Sequence, residues 1–142
     1  MAQVFWGEIT EVSNDKGPYK LIKVKSHDHP FDAVVMEPYG VQASPVVGGQ
    51  ALVTIVDNDL GKATAQILPP PKKRVDGQSE GELTLINHKT GKSIVIDKDG
   101  NVVINATTLK INADIEITGN ITQTGDYSQT GEHVDNNGPH TA

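Results

Sequence analysis

A long alternation of apolar and polar residues, from Leu109 to Ile121, restricts the fold of this chain more than any other feature. The odd positions are apolar or small, and the even positions are polar. Alternation with a period of two predicts a β-strand with one buried face. The odd positions hold Leu109, Ile111, Ala113, Ile115, Ile117, Gly119 and Ile121.

The alternation then continues as a repeat. A Thr-Gly pair recurs every six residues, placing Gly119, Gly125 and Gly131 on the same face as the isoleucines. Single strands typically run about 3–10 residues, but this pattern continues to Gly131 without a hairpin turn. A repeat unit that cannot bury its own face needs stacked neighbours. We therefore expect a homo-oligomeric β-helix whose core is formed by Leu109, Ile111, Ile115, Ile117 and Ile121.

Composition excludes several classes of function. The chain has 142 residues, a net charge of −6 and no cysteine. An acidic surface argues against a nucleic-acid partner, and the lack of cysteine excludes disulfide scaffolds and thiolate metal sites. No signal-like N-terminus or long apolar run is present, so we expect neither signal-directed export nor a membrane span.

The N-terminal half predicts a small β-barrel. Five short strands, at 3–12, 19–25, 31–37, 50–57 and 62–68, are separated by turn-forming clusters of Gly, Pro, Asn and Asp. Five strands in a short domain are typical of an OB-type barrel, whereas a sandwich usually needs about seven.

The remaining chain divides by composition. We predict an OB-fold domain at 1–68, a proline-rich linker at 69–80, a β-meander at 81–106, a β-helix at 107–133 and a tail at 134–142. The meander strands are expected at 82–88, 92–97 and 101–105, with turns at Thr90-Gly91 and Asp99-Gly100.

Three features occur in a distinctive order: the five-stranded domain, the passage GKSIVIDKDGNVVINA at 91–106, and the Thr-Gly ribbon. In this order the chain resembles the central spike, or baseplate assembly protein V, family of contractile-tailed phages. Residues 4–9 and 50–68 are similar to the OB domain of the phage Mu-type spike. The family is related to the spikes of pyocins and type VI secretion systems.

The resemblance implies a function as well as a fold. It implies an all-β homotrimer on the tail axis, with OB-type barrels that plug the tail hub and an intertwined β-helix that punctures the host outer membrane mechanically. Its location would be the baseplate tip of the virion, after assembly in the host cytoplasm. Its partners would be hub and baseplate proteins, with no nucleic acid and no enzymatic activity.

Two groups of residues are candidate sites. Aromatic side chains are enriched at interfaces, so Phe5 and Trp6 are expected to contact the hub. Members of the family often end in a His-x-His apex that holds iron. This chain lacks that pair, but His133 and His140 could place imidazole rings on a three-fold axis and hold iron or zinc. Otherwise the tip is simplified, or a separate tip protein completes it.

Two alternatives to the spike remain open. A trimeric fibre tip that binds a receptor or glycan would need an exposed apolar or aromatic patch near the C-terminus, where only Tyr127 is available. An OB-fold nucleic-acid-binding protein would need a basic groove with stacking aromatics, and the charge of this chain has the wrong sign. An enzyme is not expected, because no nucleophile elbow is present.

Overall fold

The computed structural model describes residues 2–13, 18–26 and 29–132 and has an all-β architecture. It divides into two units, Met1–Leu109 and Lys110–Ala142. All eight strands expected before residue 106 are present. They are β1 (Ala2–Val12), β2 (Leu21–Ser26), β3 (His29–Val35), β4 (Gln50–Val56), β5 (Thr64–Leu68), β6 (Leu83–Ile86), β7 (Ser93–Ile96) and β8 (Val102–Asn105).

The first five strands form a closed, OB-like barrel, which confirms the predicted class of the N-terminal domain. The strand order around the barrel is β1-β2-β3-β5-β4, and β1 pairs with β4 to close it. All pairs are antiparallel except β3 with β5, which is parallel. A register shift between Ile9 and Glu11 in β1 marks a bulge, and bulges increase local twist.

Alternate residues of each barrel strand face a common core. Ten small and aliphatic side chains are buried there, and Phe5, Val12, Phe31 and Ile67 pack against them. Gly7 is required by this packing, because a Cβ atom at that position would lie 2.3 Å from Cγ1 of Val24. The buried set comprises Ile9, Ile22, Val24, Ala33, Val35, Ala51, Val53, Ile55, Ala63 and Ala65.

Most strand boundaries differ from the sequence prediction by one or two residues, and two of the differences have a clear structural cause. Strand β3 begins at His29 rather than Phe31, because Pro30 pairs with Lys25 of β2 while β5 pairs only with Val34 and Val35. A proline at such an edge breaks no ladder bond. Strand β5 begins later than predicted, after a 3₁₀ turn over Leu60–Lys62 whose N-terminus is capped by the Asp59 side chain.

Strands β6, β7 and β8 form a separate antiparallel sheet in that order, as the predicted meander requires. The β7–β8 connection is one residue longer than a two-residue hairpin. Asp97 and Asn101 are joined by a backbone hydrogen bond of 2.9 Å, which leaves Lys98, Asp99 and Gly100 in the loop. Gly100 has a φ of +84°, the left-handed conformation that a three-residue hairpin loop needs.

The predicted β-helix is absent from the single chain. Between Ala106 and Glu132, within the described residues, the backbone has no strand pairing and every residue is exposed. One chain offers no second edge for this segment to pair with, so its backbone groups face solvent. The prediction of an all-β chain with an N-terminal barrel is confirmed. The β-helix remains a prediction.

Candidate functional site

One face of the β6–β8 sheet is entirely aliphatic and is left uncovered. Cross-strand pairing aligns its side chains in two rows, Leu83–Ile96–Val102 and Leu85–Ile94–Ile104. These six side chains, here called the aliphatic face, are between 40% and 62% exposed. Contiguous apolar patches of this kind usually mark an interaction site.

The opposite face of the same sheet is different in character. It alternates apolar and polar side chains, and Asn105 Nδ2 donates a hydrogen bond of 3.3 Å to Ser93 Oγ. On β6 and β7 the side chains of this face are also less exposed than those of the aliphatic face, whereas both faces of β8 are exposed. The mixed face carries Thr84, Ile86, Ser93, Val95, Val103 and Asn105.

A groove of about 1280 Å³ lies between the rim of the barrel and one end of the β6–β8 sheet. Its barrel side is formed by Val12, residues 43–47 and residues 67–69. Its other side is formed by Leu109 and by the end rows of both faces of the sheet, Leu85–Ile94–Ile104 and Ile86–Ser93–Asn105. We call this space the junction groove. Ile104 and Leu109 both line this groove. The aliphatic face uses even-numbered positions of β8 and the ribbon stripe uses odd-numbered ones, so the alternation changes phase between these two residues.

The second unit is an extended ribbon with an uncovered apolar stripe. The ribbon residues that the sequence assigns to an oligomer core are between 53% and 72% exposed, with Leu109 at the end of the first unit. Their burial would stabilise an assembly by about 25 cal/mol per Å² of apolar surface. The set is Leu109, Ile111, Ile115, Ile117 and Ile121.

The backbone of the segment after β8 bends at a constant interval. The bends lie at Thr107, Ala113, Gly119, Gly125 and Gly131, six residues apart. The glycine bends have φ values of +139°, +111° and +117°, respectively, which side-chain-bearing residues rarely adopt. The bends at Thr107 and Ala113 extend the repeat beyond the Thr-Gly pairs that the sequence made visible.

Side-chain amides span the last two glycine bends. Gln123 Nε2 donates to the carbonyl of Asp126 at 2.9 Å, and Gln129 Nε2 donates to that of Glu132 at 3.0 Å. The hydroxyl of Tyr127 also bonds the Gln129 side chain. The same contact therefore recurs six residues apart, which indicates that the two hexapeptides are equivalent structural units.

The two aromatic residues predicted to contact a hub are on different sides of the barrel wall. Phe5 packs against the core, with its ring edge-on to Phe31 at a centroid distance of 5.8 Å. Trp6 faces outwards, is 58% exposed and pairs with Leu52 of β4. Of these two side chains, only Trp6 is available to a partner.

The outer apolar patch around Trp6 is formed by two strands. Val4 lies two residues before Trp6 on the same outward face of β1, and Ala2 pairs with Val56 on β4. Val4 and Val56 are both exposed. Sequence analysis missed the contribution of β4, because that depends on the β1–β4 pairing.

The side chain of Asp97 is engaged in the local structure of the β7–β8 turn. The Asp97 carboxylate accepts hydrogen bonds from both the backbone N–H and the side-chain amide of Asn101 and from the Asp99 N–H. These bonds lower the pKa of Asp97 below its ordinary value of 3.8, the Asn101 backbone having the largest effect. This carboxylate closes the β7–β8 turn.

The predicted metal site lies beyond the described residues. His133 and His140, the candidate apex ligands, are outside them. Within 2–13, 18–26 and 29–132, no group of three or more metal-binding side chains is found, and no helix is long and apolar enough to cross a membrane.

The aliphatic face was not predicted from the sequence, because it is formed by three strands together. Each meander strand alternates apolar and other residues, and the pattern identifies a buried face for each strand separately. It does not say that three such faces will align on one side of a sheet, since that depends on hairpin register.

No protein-family model matches this chain. No curated protein is significantly similar to it in sequence.

Proposed function

We propose that this chain is the central spike of a contractile injection apparatus, of the kind found in phage tail baseplates. In this proposal three copies assemble around one axis. The OB-like barrels attach the spike to the tail hub, and the ribbons of the three copies wind into a β-helix that punctures the host outer envelope when the sheath contracts.

The observation that carries the proposal is the amount of apolar side chain that the second half of the chain leaves uncovered. The aliphatic face is exposed in the first unit, and the ribbon stripe is exposed in the second. A soluble chain rarely leaves so much aliphatic surface exposed. Other copies of the same chain supply matching surfaces with the same repeat.

The regular bends support a prism of strands rather than a flat fibre. A bend every sixth residue divides the ribbon into short straight segments of equal length. Three chains, each contributing one segment per face, would close such segments into a three-sided β-helix. Ladder bonds between chains would then satisfy the exposed backbone groups and remove free strand edges.

The polar side of the ribbon supports a role in water. Lys110, Asn112, Asp114 and Glu116 occupy the even positions between apolar residues. With the apolar stripe turned to the axis, these side chains would form the outer surface of the spike. An assembly of this kind acts mechanically, and we assign no catalytic step to it.

The available aromatic residues do not favour the alternative fibre-tip function. Tyr127 is exposed, but its hydroxyl is bonded to the side chain of Gln129. It is the only aromatic residue in the described part of the ribbon, 110–132. Glycan sites usually combine several aromatic and polar groups in a concave pocket, and no neighbouring aromatic residue of the ribbon supplies one.

Light scattering on the full chain tests the proposal. We expect three copies of the 15.2 kDa chain in one particle at micromolar concentration. A single antibody raised against the chain should then label the baseplate tip of contractile particles in electron micrographs. A monodisperse monomer, or label elsewhere on the particle, would contradict the proposal.

A DNA-binding assay on the same preparation tests the remaining alternative. The acidic chain should not retain single-stranded DNA at physiological salt, because phosphate binding requires a basic surface. Tight DNA binding that weakens steeply as the salt concentration rises would contradict the spike proposal and support a nucleic-acid-binding function.

A further inference from the structure

The junction groove has a charge opposite to that of the protein as a whole. The chain carries a net charge of −6, yet no Asp or Glu is among the described residues that line the groove. Its ionisable residues are Lys73, His88, Lys89 and Lys92. An aliphatic floor with a basic border fits a segment that combines aliphatic and acidic side chains.

Hydrogen bonds fix the backbone of the turn that carries the basic border. Lys73 Nζ donates to the carbonyl of His88 at 3.4 Å, which ties the linker to the β6–β7 turn. In that turn the N–H of Lys89 donates to the Asn87 side chain at 2.9 Å, and the N–H of Lys92 donates to Thr90 Oγ1 at 3.3 Å. Lys89 and Lys92 are both exposed.

The chain itself contains a segment of complementary character. Residues 75–83, VDGQSEGEL, carry Asp76, Glu80 and Glu82 and no basic residue. Aliphatic residues Val75 and Leu83 stand at the two ends of this acidic segment. None of the nine residues lines the junction groove of its own chain.

We propose that the junction groove receives the acidic segment 75–83 of a second copy of this chain. This inference rests on the proposed function, which places identical copies side by side around one axis. The groove and the segment are different surfaces, so the contact is head-to-tail, and such contacts close into rings when the rotation fits. Each copy would then donate one segment and receive another.

The charge pairing would set the register of the assembly. Exposed ion pairs contribute little to stability individually, but like charges brought together by a wrong alignment repel. The apolar stripe of the ribbon repeats every six residues and so permits alignments shifted by one repeat. A basic groove matched to an acidic segment that lies before the ribbon would exclude them, because neither belongs to the six-residue repeat.

Paired cysteines test the contact in the full chain, which contains no cysteine of its own. The double variant Glu80→Cys/Lys89→Cys is oxidised mildly, boiled in denaturant and run on a non-reducing gel. The matched control is Glu80→Cys/Lys25→Cys, in which the basic position lies on the barrel strand β2. A disulfide needs Cα atoms within about 7 Å, so we expect at least about tenfold more covalent trimer from the groove pair than from the control.

The single variants distinguish the head-to-tail contact from a symmetrical one. Glu80→Cys alone and Lys89→Cys alone should remain monomeric on the gel. Covalent dimers from either single variant would overturn the proposal, because the segment or the groove would then face its own equivalent. Light scattering on each variant before oxidation shows whether the assembly itself has formed.

Failure of the groove contact and failure of the spike assembly give different results. If light scattering finds trimers but the double variant yields only monomers on the gel, the groove proposal is wrong and the spike proposal stands. If the unmodified chain is monomeric in solution, both are wrong.

Discussion

Phe5 and Trp6 are neighbours in β1 and lie on opposite sides of the barrel wall. The Phe5 ring meets Phe31 edge-on inside the barrel, whereas Trp6 stands outside it, opposite Leu52. The pleat of a strand separates adjacent side chains in this way. One of the two aromatic residues therefore serves the core, and the other is left for a partner.

Replacing each aromatic residue with alanine should separate stability from attachment. Phe5→Ala should lower the free energy of unfolding by about 2–3 kcal/mol. This loss is somewhat smaller than that for the same substitution at a fully buried phenylalanine. Trp6→Ala should change it by less than about 0.5 kcal/mol but reduce binding of the full chain to a purified hub protein. Urea titration and a binding isotherm measure the two effects. Equal losses of stability would contradict the assignment of faces.

Adjacent residues of β8 provide a matched test of the aliphatic face. Ile104 lies on this face and Val103 on the other, and they are 45% and 42% exposed, respectively. In an isolated chain Ile104→Asp and Val103→Asp should therefore be tolerated alike. If the aliphatic face is buried between copies, Ile104→Asp places an unpaired carboxylate in an apolar interface and should abolish the trimer in light scattering. The idea fails if Val103→Asp is the more disruptive of the two.

The ribbon offers a second comparison between neighbouring residues. Ile115→Asp would bring a carboxylate from each chain close to the common axis, whereas Glu116→Asp keeps a carboxylate on the polar side. We expect the first variant to lose the heat resistance of the trimer on a gel and the second to retain it. Identical behaviour of the two would mean that the polar and apolar sides were exchanged.

Gly125 should resist substitution because of its backbone conformation alone. A Cβ atom there would meet nothing within 4 Å in this chain, but the φ of +111° disfavours any other residue. Strained conformations of this kind cost about 1–3 kcal/mol each. Gly125→Ala should therefore lower the melting temperature of the assembly, whereas the control Ser128→Ala should leave it within about a degree or two. A melting temperature unchanged by Gly125→Ala would show that the bend at this position does not contribute to the stability of the assembly.

Acid should weaken the β7–β8 hairpin through Asp97. Its folded-state pKa is lowered by the hydrogen bonds from Asn101 and Asp99, so the ionised form stabilises the fold. That contribution is complete above the ordinary value of 3.8 and is lost as pH falls through the folded-state pKa. A ¹³C NMR titration should place the Asp97 midpoint below the ordinary value. Asp97→Asn should remove this part of the acid sensitivity, and Asp99→Asn should retain it.

A metal at the tip is a prediction from the sequence that concerns His133 and His140. If three parallel chains bring His140 to one axis, elemental analysis of untagged protein should find one iron or zinc ion per trimer. The metal should disappear in His140→Ala, and His133→Ala tests whether a second ring of imidazoles contributes. Less than about a tenth of an ion per trimer would exclude a three-histidine site.

Local patterns in the sequence predicted the barrel better than they predicted the association surface. Each barrel strand has its own alternation and its own turn residues, and the inward positions fill a core within one chain. Pro30 predicts a break before β3, but the strand includes it because only one side of β3 is paired there. The aliphatic face depends on the registers of the β6–β7 and β7–β8 pairs, and the junction groove brings residues of the barrel together with residues of this sheet. No single segment encodes either.

The bend interval of the ribbon has a consequence for how its length can change. Side chains alternate with a period of two, and bends recur with a period of six, so both patterns coincide again after each hexapeptide. Inserting or deleting six residues would leave every later side chain on its original side and every later bend in phase. A change of three would exchange the two sides of all that follows. Each added hexapeptide contributes one straight segment and one bend, so the length of the ribbon can change in whole steps without altering the barrel.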